Sequence, residues 1–374
     1  MFAAELNIRE RHKSMSDYIT SSAIESLQAT IQGAKKVAAR GNATKNALSI
    51  DKDAVQLDLR PLSGILEYDP GEYTFTALAG TSVAEVEAEL AKHGQYLPFD
   101  PPLVKTGATL GGTVASGLSG AGRQRYGGVR DFLVGVRFID GKGQFVRGGG
   151  KVVKNAAGFD FPKLMVGSLG QFGVLVELSF KVFPKPQTYM TLKVTQTSLE
   201  SAIATLSKLA TTVFDIDALD LLLPNPTLLI RLGGWEKTLP DRLERLRSFV
   251  GGGEIVKDDA ELWESAREFS WLPSGSRLVK VPLNLHKISA LDGTLGNATR
   301  RYSAGGNVAW IGWGGDVAQI DATLTAQSLP GLVVLGEATG KPLIGKQAGQ
   351  AFYQRIKSAL DPEGKFPNYI KPPN

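Results

Sequence analysis

The residues best suited to chemistry in this chain are glycines, serines and threonines concentrated between Thr106 and Glu177. The stretch opens with TGATLGGTVASG at positions 106–117 and closes with GSLGQFGV at 167–174. Each glycine costs backbone entropy on folding, so this density is not what core stability alone requires. Unobstructed backbone N–H groups beside hydroxyls can surround a diphosphate. The stretch therefore predicts a phosphate-bearing ligand.

Two common nucleotide motifs do not match this stretch. A Walker loop needs Gly-Lys-Ser/Thr at a fixed spacing after its glycines, and none follows here. Gly107, Gly111 and Gly112 do not fit G-x-G-x-x-G, and no acidic residue lies about 20 positions further on in a plausible βαβ unit. The predicted site is neither a P-loop nor a Rossmann site.

Composition excludes several other chemistries. The 374 residues include no cysteine, which excludes disulfides, thiolate catalysis, cysteinyl flavin links and protein-ligated iron–sulfur clusters. The three histidines, His12, His93 and His286, lack metal-ligand spacing, so we expect no metal site. A net charge of +5 without a basic stripe of interleaved aromatics argues against nucleic-acid binding.

Hydropathy and the N-terminal residues indicate in which cellular compartment the protein is expected. No run reaches the roughly 18 consecutive apolar residues of a membrane span. The charged N-terminus does not resemble a signal peptide, so we expect a cytoplasmic protein. Peripheral attachment at the inner face of the membrane, through partners, is the alternative.

Apolar periodicity and turn residues divide the chain into four parts. Residues 1–16 are an extension that overlaps a second plausible start at Met15. Residues 17–186 begin with an amphipathic helix, continue in alternating strands and end at a Pro-Lys-Pro linker. Residues 187–347 are typical of a small α+β domain with an antiparallel sheet. Residues 348–374 hold a helix and a tail expected to return towards the first domain, and the fold class is α+β.

Five short motifs in the first domain, taken together, are highly specific. They are LPFDPP at 97–102, ATLGGT at 108–113, GVRD at 128–131, KNAAGFD at 154–160 and LMVGS at 164–168. With them, residues 17–186 resemble the PCMH-type FAD-binding domain of the vanillyl-alcohol oxidase superfamily, most of all the GlcE-type subunits of bacterial glycolate oxidase. The resemblance implies two α+β subdomains that bind FAD, followed by a smaller cap domain. DPEGKFPN at 361–368 is similar to the family's C-terminal signature.

The resemblance also implies which residues hold the cofactor. The turn at 40–44 would be the first diphosphate loop and the run at 106–117 the second diphosphate wall. Residues 167–174 would run beside the isoalloxazine or the adenine. The diphosphate loop contains neither histidine nor cysteine, so we expect non-covalent FAD. The expected cofactor-binding residues are Arg40, Gly41, Asn42, Ala43, Thr44, Gly107, Ala108, Thr109, Gly111, Gly112, Ser116, Gly117, Lys154, Asn155, Gly167, Gly173 and Val174.

Three arginines lie among these motifs. Arg123, Arg125 and Arg130 could each pair with a phosphate, hold an anionic substrate, or form a surface ion pair. For Arg130, next to Asp131, we favour a structural role.

No catalytic residue can be assigned from the sequence. Relatives that oxidise D-2-hydroxy acids typically carry an H-x-G-D-G-N-x-H stretch in the second domain, and this chain lacks it. Three hypotheses remain. The chain is the FAD-binding subunit of a heteromeric glycolate oxidase, with a paralogous FAD-containing catalytic subunit and an iron–sulfur subunit. It is a self-sufficient FAD-dependent oxidoreductase of small 2-hydroxy acids. Or it is a scaffold that keeps the flavoprotein fold.

Overall fold

The computed structural model describes residues 15–48, 53–150 and 159–370, without the side chains of residues 15–21. The strands are β1 (Val37–Arg40), β2 (Val55–Asp58), β3 (Ile65–Asp69), β4 (Thr74–Leu78), β5 (Gln95–Tyr96), β6 (Leu133–Ile139), β7 (Phe145–Gly149), β8 (Val174–Lys181), β9 (Phe183–Pro184), β10 (Thr188–Thr195), β11 (Ala218–Leu223), β12 (Thr227–Gly234), β13 (Glu254–Val256), β14 (Arg277–Pro282), β15 (Arg300–Ser303), β16 (Val308–Trp313), β17 (Pro330–Leu335) and β18 (Leu343–Gly345). The α-helices are α1 (Met15–Gly33), α2 (Val83–Ala91), α3 (Leu110–Ser116), α4 (Arg123–Tyr126), α5 (Val129–Phe132), α6 (Phe161–Met165), α7 (Leu199–Leu209), α8 (Leu239–Val250), α9 (Ala260–Glu268), α10 (Ile288–Asp292), α11 (Val317–Ala326) and α12 (Gln350–Leu360). One turn of 3₁₀ helix spans Leu285–Lys287.

The N-terminal part positions the first turn of interest. The predicted N-terminal amphipathic helix is α1, which ends at Gly33, and the chain then extends into β1. β1 pairs in parallel with β2. Val37 on β1 and Leu57 on β2 are buried in one small core with Ile31 of α1. This packing places the chain that follows Arg40 at the end of the strand pair.

The main sheet of the first domain is antiparallel and has the order β3-β4-β8-β6-β7. β6 and β7 pair on either side of Asp140 and form a hairpin. The Asp140 carboxylate accepts hydrogen bonds from the backbone N–H groups of Lys142 and Gln144, which closes the turn.

The glycine-rich run at 106–117 contains a helix, α3, that glycine content alone did not indicate. Thr109 caps its start with a side-chain hydrogen bond from the Gly112 N–H, and Gly117 ends it in the left-handed conformation. Leu110 and Val114 are fully buried in the first-domain core. Burial of these apolar side chains offsets the low helix propensity of the two glycines.

The second sheet is antiparallel throughout and spans residues 188–345 in the order β13-β10-β12-β11-β15-β16-β14-β17-β18. Its two faces pack differently. Val279, Ala309 and Val333 form one core with helices α7, α8 and α11, whereas Leu278 and Trp310 join the core of the first domain. The sheet therefore lies directly against the glycine-rich domain.

The C-terminal tail returns to the first domain. Phe366 is buried in the core that contains Ile31 and Val37. Lys365 donates from Nζ to the carbonyl oxygens of Ile31 and Gln32 at the end of α1, both at 2.9 Å. These contacts fix the chain that follows Phe366. Across the described ranges, no helix has both the length and the apolar character needed to cross a bilayer.

Candidate cofactor-binding site

A cleft of about 380 Å³ lies between the turn after β1, the first turns of α3 and the segment before β8. The C-terminal tail closes one side of it. Its lining residues are Ala38, Ala39, Arg40, Gly41, Asn42, Ala43, Thr44, Lys45, Asn46, Leu48, Leu59, Ala79, Thr109, Gly111, Gly112, Ala115, Ser116, Ser168, Leu169, Gly170, Gly173, Leu175, Pro367 and Tyr369.

All residues of the turn at 41–45 line this cleft. Within the described residues, no backbone N–H of this turn makes a hydrogen bond to another part of the chain. Ala43 has a φ of 52°, the left-handed conformation that lets successive N–H groups point to one side. The Asn42 Nδ2 group donates to the Gly107 carbonyl at 2.8 Å and ties the turn to the glycine-rich run. The turn is therefore a preformed set of donors suited to an anion.

Glycine is required where the turn meets α3. A Cβ added to Gly41 would lie 2.6 Å from Thr109 Oγ1, and one added to Gly111 would lie 2.9 Å from the Ala79 carbonyl oxygen. Real side chains do not approach that closely, so both positions depend on a bare backbone. The two segments can form one continuous wall only because these residues are glycine.

The start of α3 contributes shape more than free donors. The N–H groups of Leu110 and Gly111 donate to the carbonyl oxygens of Thr81 and Ala79, at 2.9 and 2.8 Å. The Gly112 N–H donates to Thr109 Oγ1 at 3.2 Å. The wall is fixed by these bonds, and the available donors of the cleft lie on the turn.

The opposite wall is mostly apolar. The Leu169 N–H donates to the Ala115 carbonyl at 2.8 Å, which holds this segment against α3. Leu175, Pro367 and Tyr369 add further apolar surface. Apolar walls beside a set of anion donors suit a ligand with flat rings and phosphates.

The charged groups of the cleft are cationic. Among the described lining residues, the titratable side chains are Arg40, Lys45 and Tyr369, and no carboxylate or histidine lines the cleft. Arg40 is exposed, whereas Lys45 is only 8% exposed. Burial lowers the pKa of Lys45 from 10.5 to about 8, and the nearby Glu268 carboxylate raises it in part.

The structure brings most of the sequence-predicted residues together. Those that line the cleft are Arg40, Gly41, Asn42, Ala43, Thr44, Thr109, Gly111, Gly112, Ser116 and Gly173. Those outside its lining are Gly107, Ala108, Gly117, Gly167 and Val174. Lys154 and Asn155 lie outside the described residues.

The predicted residues that do not line the cleft hold its walls in place through hydrogen bonds and close packing. The Gly107 carbonyl accepts from Asn42, and the Ala108 carbonyl accepts from the Val83 N–H at the start of α2. A Cβ on Gly117 would lie 3.0 Å from Gly167 Cα, so these two glycines let α3 and the opposite wall pack closely. Val174 is fully buried in the small core beneath β1.

Sequence reasoning missed several lining residues. Lys45 directly follows the predicted loop, so its position in the sequence was a usable signal. Tyr369 directly follows the C-terminal signature and could have been found in the same way. Ala79 and Leu175 come from strands β4 and β8 or their ends, and nothing in their sequence context points to a ligand.

Of the arginines after α3, Arg125 serves the contact between the two domains, and Arg130 contacts its own domain. Arg125 pairs with the buried Asp217 of the second domain at 3.1 Å. Arg130 is exposed, and its carbonyl accepts from the Lys163 ammonium. The neighbouring Asp131 carboxylate accepts from the Gly128 N–H at 2.9 Å, which fixes the turn.

A smaller cleft of about 250 Å³ separates the two domains near Tyr96 and Tyr189. Its arginines already have partners. Arg231 pairs with Asp259 at 2.7 Å, and Arg267 pairs with Glu87. The pair of Arg267 with Glu87 joins the two domains, whereas the pair of Arg231 with Asp259 lies within the second domain.

The comparisons with known proteins agree with this geometry. Residues 18–149 match the FAD binding domain family. A solved alkyldihydroxyacetonephosphate synthase superposes with a TM-score of 0.65 over 91% of this chain and 74% of that chain. At 15% identity, this likeness shows the fold alone. The fold, the cleft and the family match define an FAD-binding flavoprotein of the PCMH type.

Two relatives are more specific. Over 245 residues the chain is 37% identical to the glycolate oxidase subunit GlcE of Escherichia coli (strain K12), covering 66% of this chain and 67% of that protein. Over 169 residues it is 32% identical to the glycolate oxidase subunit GlcD of Bacillus subtilis (strain 168), covering 45% of this chain but 36% of that protein. The chain belongs to the GlcE family of FAD-dependent oxidoreductases.

Proposed function

We propose that FAD lies in the cleft, with its diphosphate against the turn at 41–45 and the first turn of α3. The glycine contacts at Gly41 and Gly111 support this placement, because side chains there would force apart the segments that form the wall on which a diphosphate would rest. The other lining residues predicted from the sequence would complete the site, and Lys154 and Asn155 stay predicted flavin contacts. When bound, FAD accepts two electrons from a substrate.

We further propose that the chain is the FAD-binding subunit of a heteromeric glycolate oxidase or dehydrogenase. The observation that carries this proposal is the make-up of the cleft. Its described lining can hold a dinucleotide, yet it contains no histidine or carboxylate. Oxidation of glycolate to glyoxylate removes two electrons and two protons, and a base must contact the hydroxyl group. A paralogous flavin subunit would supply that base.

The two histidines that the structure describes do not fill this role. His93 packs edge-on against Tyr68 at an exposed helix end, and His286 is exposed on the 3₁₀ turn. His12 lies outside the described residues. The identity with the GlcE subunit supports the heteromeric arrangement. Since the chain has no cysteine, an iron–sulfur partner would have to ligate its own cluster.

The domain organisation belongs to the same proposal. Residues 17–186 would be the FAD-binding domain, 187–347 the cap, and 348–374 the returning tail. The two separate main sheets, one within residues 65–181 and the other within residues 188–345, support this division. We propose a cytoplasmic protein, with peripheral membrane attachment only through its partners.

The test is an anaerobic assay of the purified full chain loaded with FAD. We expect that glycolate or D-lactate leaves the flavin absorbance unchanged on the turnover timescale. The flavin of the reassembled complex with GlcD-type and iron–sulfur subunits should bleach on adding glycolate. Rapid bleaching of the isolated chain would overturn the subunit proposal in favour of a self-sufficient oxidoreductase. A complex that keeps full activity with FAD-free chain would favour a scaffold.

A further inference from the structure

One cation of the cleft has a charge that its described surroundings do not balance. Lys45 is the last residue of the turn and only 8% exposed. Its Nζ donates to Thr44 Oγ1 at 3.3 Å, a neutral acceptor one residue away. A buried ammonium is costly unless an opposite charge or several acceptors lie close to it.

The charged and titratable groups around Lys45 come from three elements. Arg40 at the end of β1 and Tyr369 of the tail line the same cleft. Glu268 at the end of α9 faces Lys45 from the second domain. Its two carboxylate oxygens accept from the Lys105 N–H at 3.0 Å and the Thr106 hydroxyl at 3.1 Å.

Glu268 therefore compensates Lys45 only at a distance. In the portion of the chain that the structure describes, no carboxylate oxygen lies within 4.0 Å of Lys45 Nζ. Arg40 adds a second positive charge to the same cleft, and the turn at 41–45 adds uncommitted N–H donors. The burial of Lys45, the positive charge of the cleft and the N–H donors of the turn all favour a bound anion.

We propose that Lys45 is the cation that neutralises the diphosphate of FAD, and that FAD is retained only while the Lys45 ammonium is protonated. This inference rests on the proposed placement of FAD in the cleft. It makes FAD retention sensitive to alkaline pH and couples binding to proton uptake.

The direction in which FAD affinity changes with pH follows from the charge of Lys45. Burial lowers the pKa of Lys45 to about 8. A diphosphate beside the ammonium favours the charged form, so the pKa of Lys45 rises when FAD binds. Affinity is then constant below about pH 8 and falls as the pH rises, by up to about tenfold per pH unit, until the pKa of the bound form is passed.

The test is FAD titration of the full chain by flavin fluorescence at about pH 7 and about pH 9.5. We expect the wild-type Kd to rise by about tenfold or more between these values. Lys45→Met should weaken binding at the lower pH by about tenfold or more and should lose this pH dependence. Lys45→Arg should bind at the lower pH and also lose the dependence, because its guanidinium stays charged.

Proton linkage gives a second readout. Calorimetric titration at about pH 8.5 in two buffers of different ionisation enthalpy should show proton uptake by wild type and none by either variant. Lys280→Met is the matched control. Burial lowers the pKa of Lys280 to about 8 as well, but Lys280 does not line the cleft.

The outcomes separate the two proposals. Equal FAD affinity and equal pH dependence in wild type and Lys45→Met would overturn the role of Lys45 and leave the cleft intact. Loss of the dependence in Lys280→Met but not in Lys45→Met would also overturn it. Wild type that binds no FAD at either pH would reject the cleft as the FAD site.

Discussion

The hydroxyl of Thr109 occupies the space into which a side chain on Gly41 would project, with 2.6 Å between Thr109 Oγ1 and the position of a Gly41 Cβ. The same oxygen accepts the Gly112 N–H and begins α3. One contact therefore joins the turn after β1 to the helix of the glycine-rich run. The shape of the cleft depends on both partners.

Gly41→Ala is expected to weaken FAD binding by about tenfold or more, because the new methyl group forces the turn away from Thr109. Thr109→Ala alone should cost about 1 kcal/mol of stability through the lost helix cap. In the double variant the clash is gone, so part of the FAD affinity should return. FAD titrations of the four proteins measure this coupling, and strictly additive losses would contradict a direct contact.

Gly112→Val should remove FAD while leaving the fold intact. A Cβ at Gly112 meets only Thr109 Oγ1, at 3.1 Å, so a branched side chain would extend into the cleft. Flavin absorbance near about 450 nm after purification reports retention, and circular dichroism reports the fold. Gly33→Ala is the control, since a Cβ there has no atom within 4 Å. Gly111→Val is a poorer test because it clashes with the Ala79 backbone. An intact flavin band in Gly112→Val would refute the prediction.

Lys280→Met should stabilise the chain near neutral pH. Lys280 donates to the Gly117 carbonyl at 3.3 Å, and burial, assisted by Arg123, lowers its pKa from 10.5 to about 8. The folded state therefore binds fewer protons than the unfolded state between these values, and wild-type stability rises with pH across that window. We expect a gain of about 1–3 kcal/mol at pH 7 that shrinks towards pH 10.

Urea unfolding of both proteins at the two pH values measures this difference. A variant equally destabilised at both pH values would show that packing of the Lys280 chain outweighs its charge.

Loss of the ion pair between Arg125 and the buried Asp217 should destabilise the contact between the domains. Asp217 is 5% exposed and accepts from Arg125 Nη1 at 3.1 Å and from the Gly233 N–H at 2.6 Å. Arg125→Met leaves the buried carboxylate with one partner, and we expect a loss of about 3 kcal/mol. Thermal unfolding measures the effect.

Arg60→Met is the control for this pair. Arg60 pairs with Asp58 at 2.7 Å, but both side chains are exposed. We expect a much smaller loss than in Arg125→Met, because water and salt screen an exposed ion pair. Equal losses in Arg125→Met and Arg60→Met would mean that burial of Asp217 has no energetic consequence.

His286→Ala should leave glycolate-linked activity of the reassembled complex within about twofold of wild type. The side chain is exposed on the 3₁₀ turn and does not line the cleft. Reduction of an artificial electron acceptor is the assay. A decrease above about tenfold, or about 1.4 kcal/mol in the barrier, would restore His286 as a candidate base.

Local signals in the sequence predicted a large part of this structure. A turn residue between alternating strands favours the hairpin around Asp140. The apolar repeat that follows Thr81 and Ser82 predicts a helix capped by one of the two, and Ser82 is the cap of α2. The loop at 40–44 and the glycines after Thr106 were predicted as one phosphate site. These features depend on residues close together in the chain, so a single sequence is enough to find them.

Other features depend on contacts between distant segments. The helical state of α3 depends on burial of Leu110 and Val114, which outweighs the glycine content. Burial lowers the pKa of Lys45 and the Glu268 carboxylate of the second domain raises it in part, so this pKa depends on residues far from Lys45 in the chain. The sequence by itself determined a non-Rossmann FAD-binding chain without a histidine motif. Only the tertiary structure decided which glycines line the cleft and which pack behind it, because that depends on the close approach of Gly41 to Thr109 and of Gly117 to Gly167.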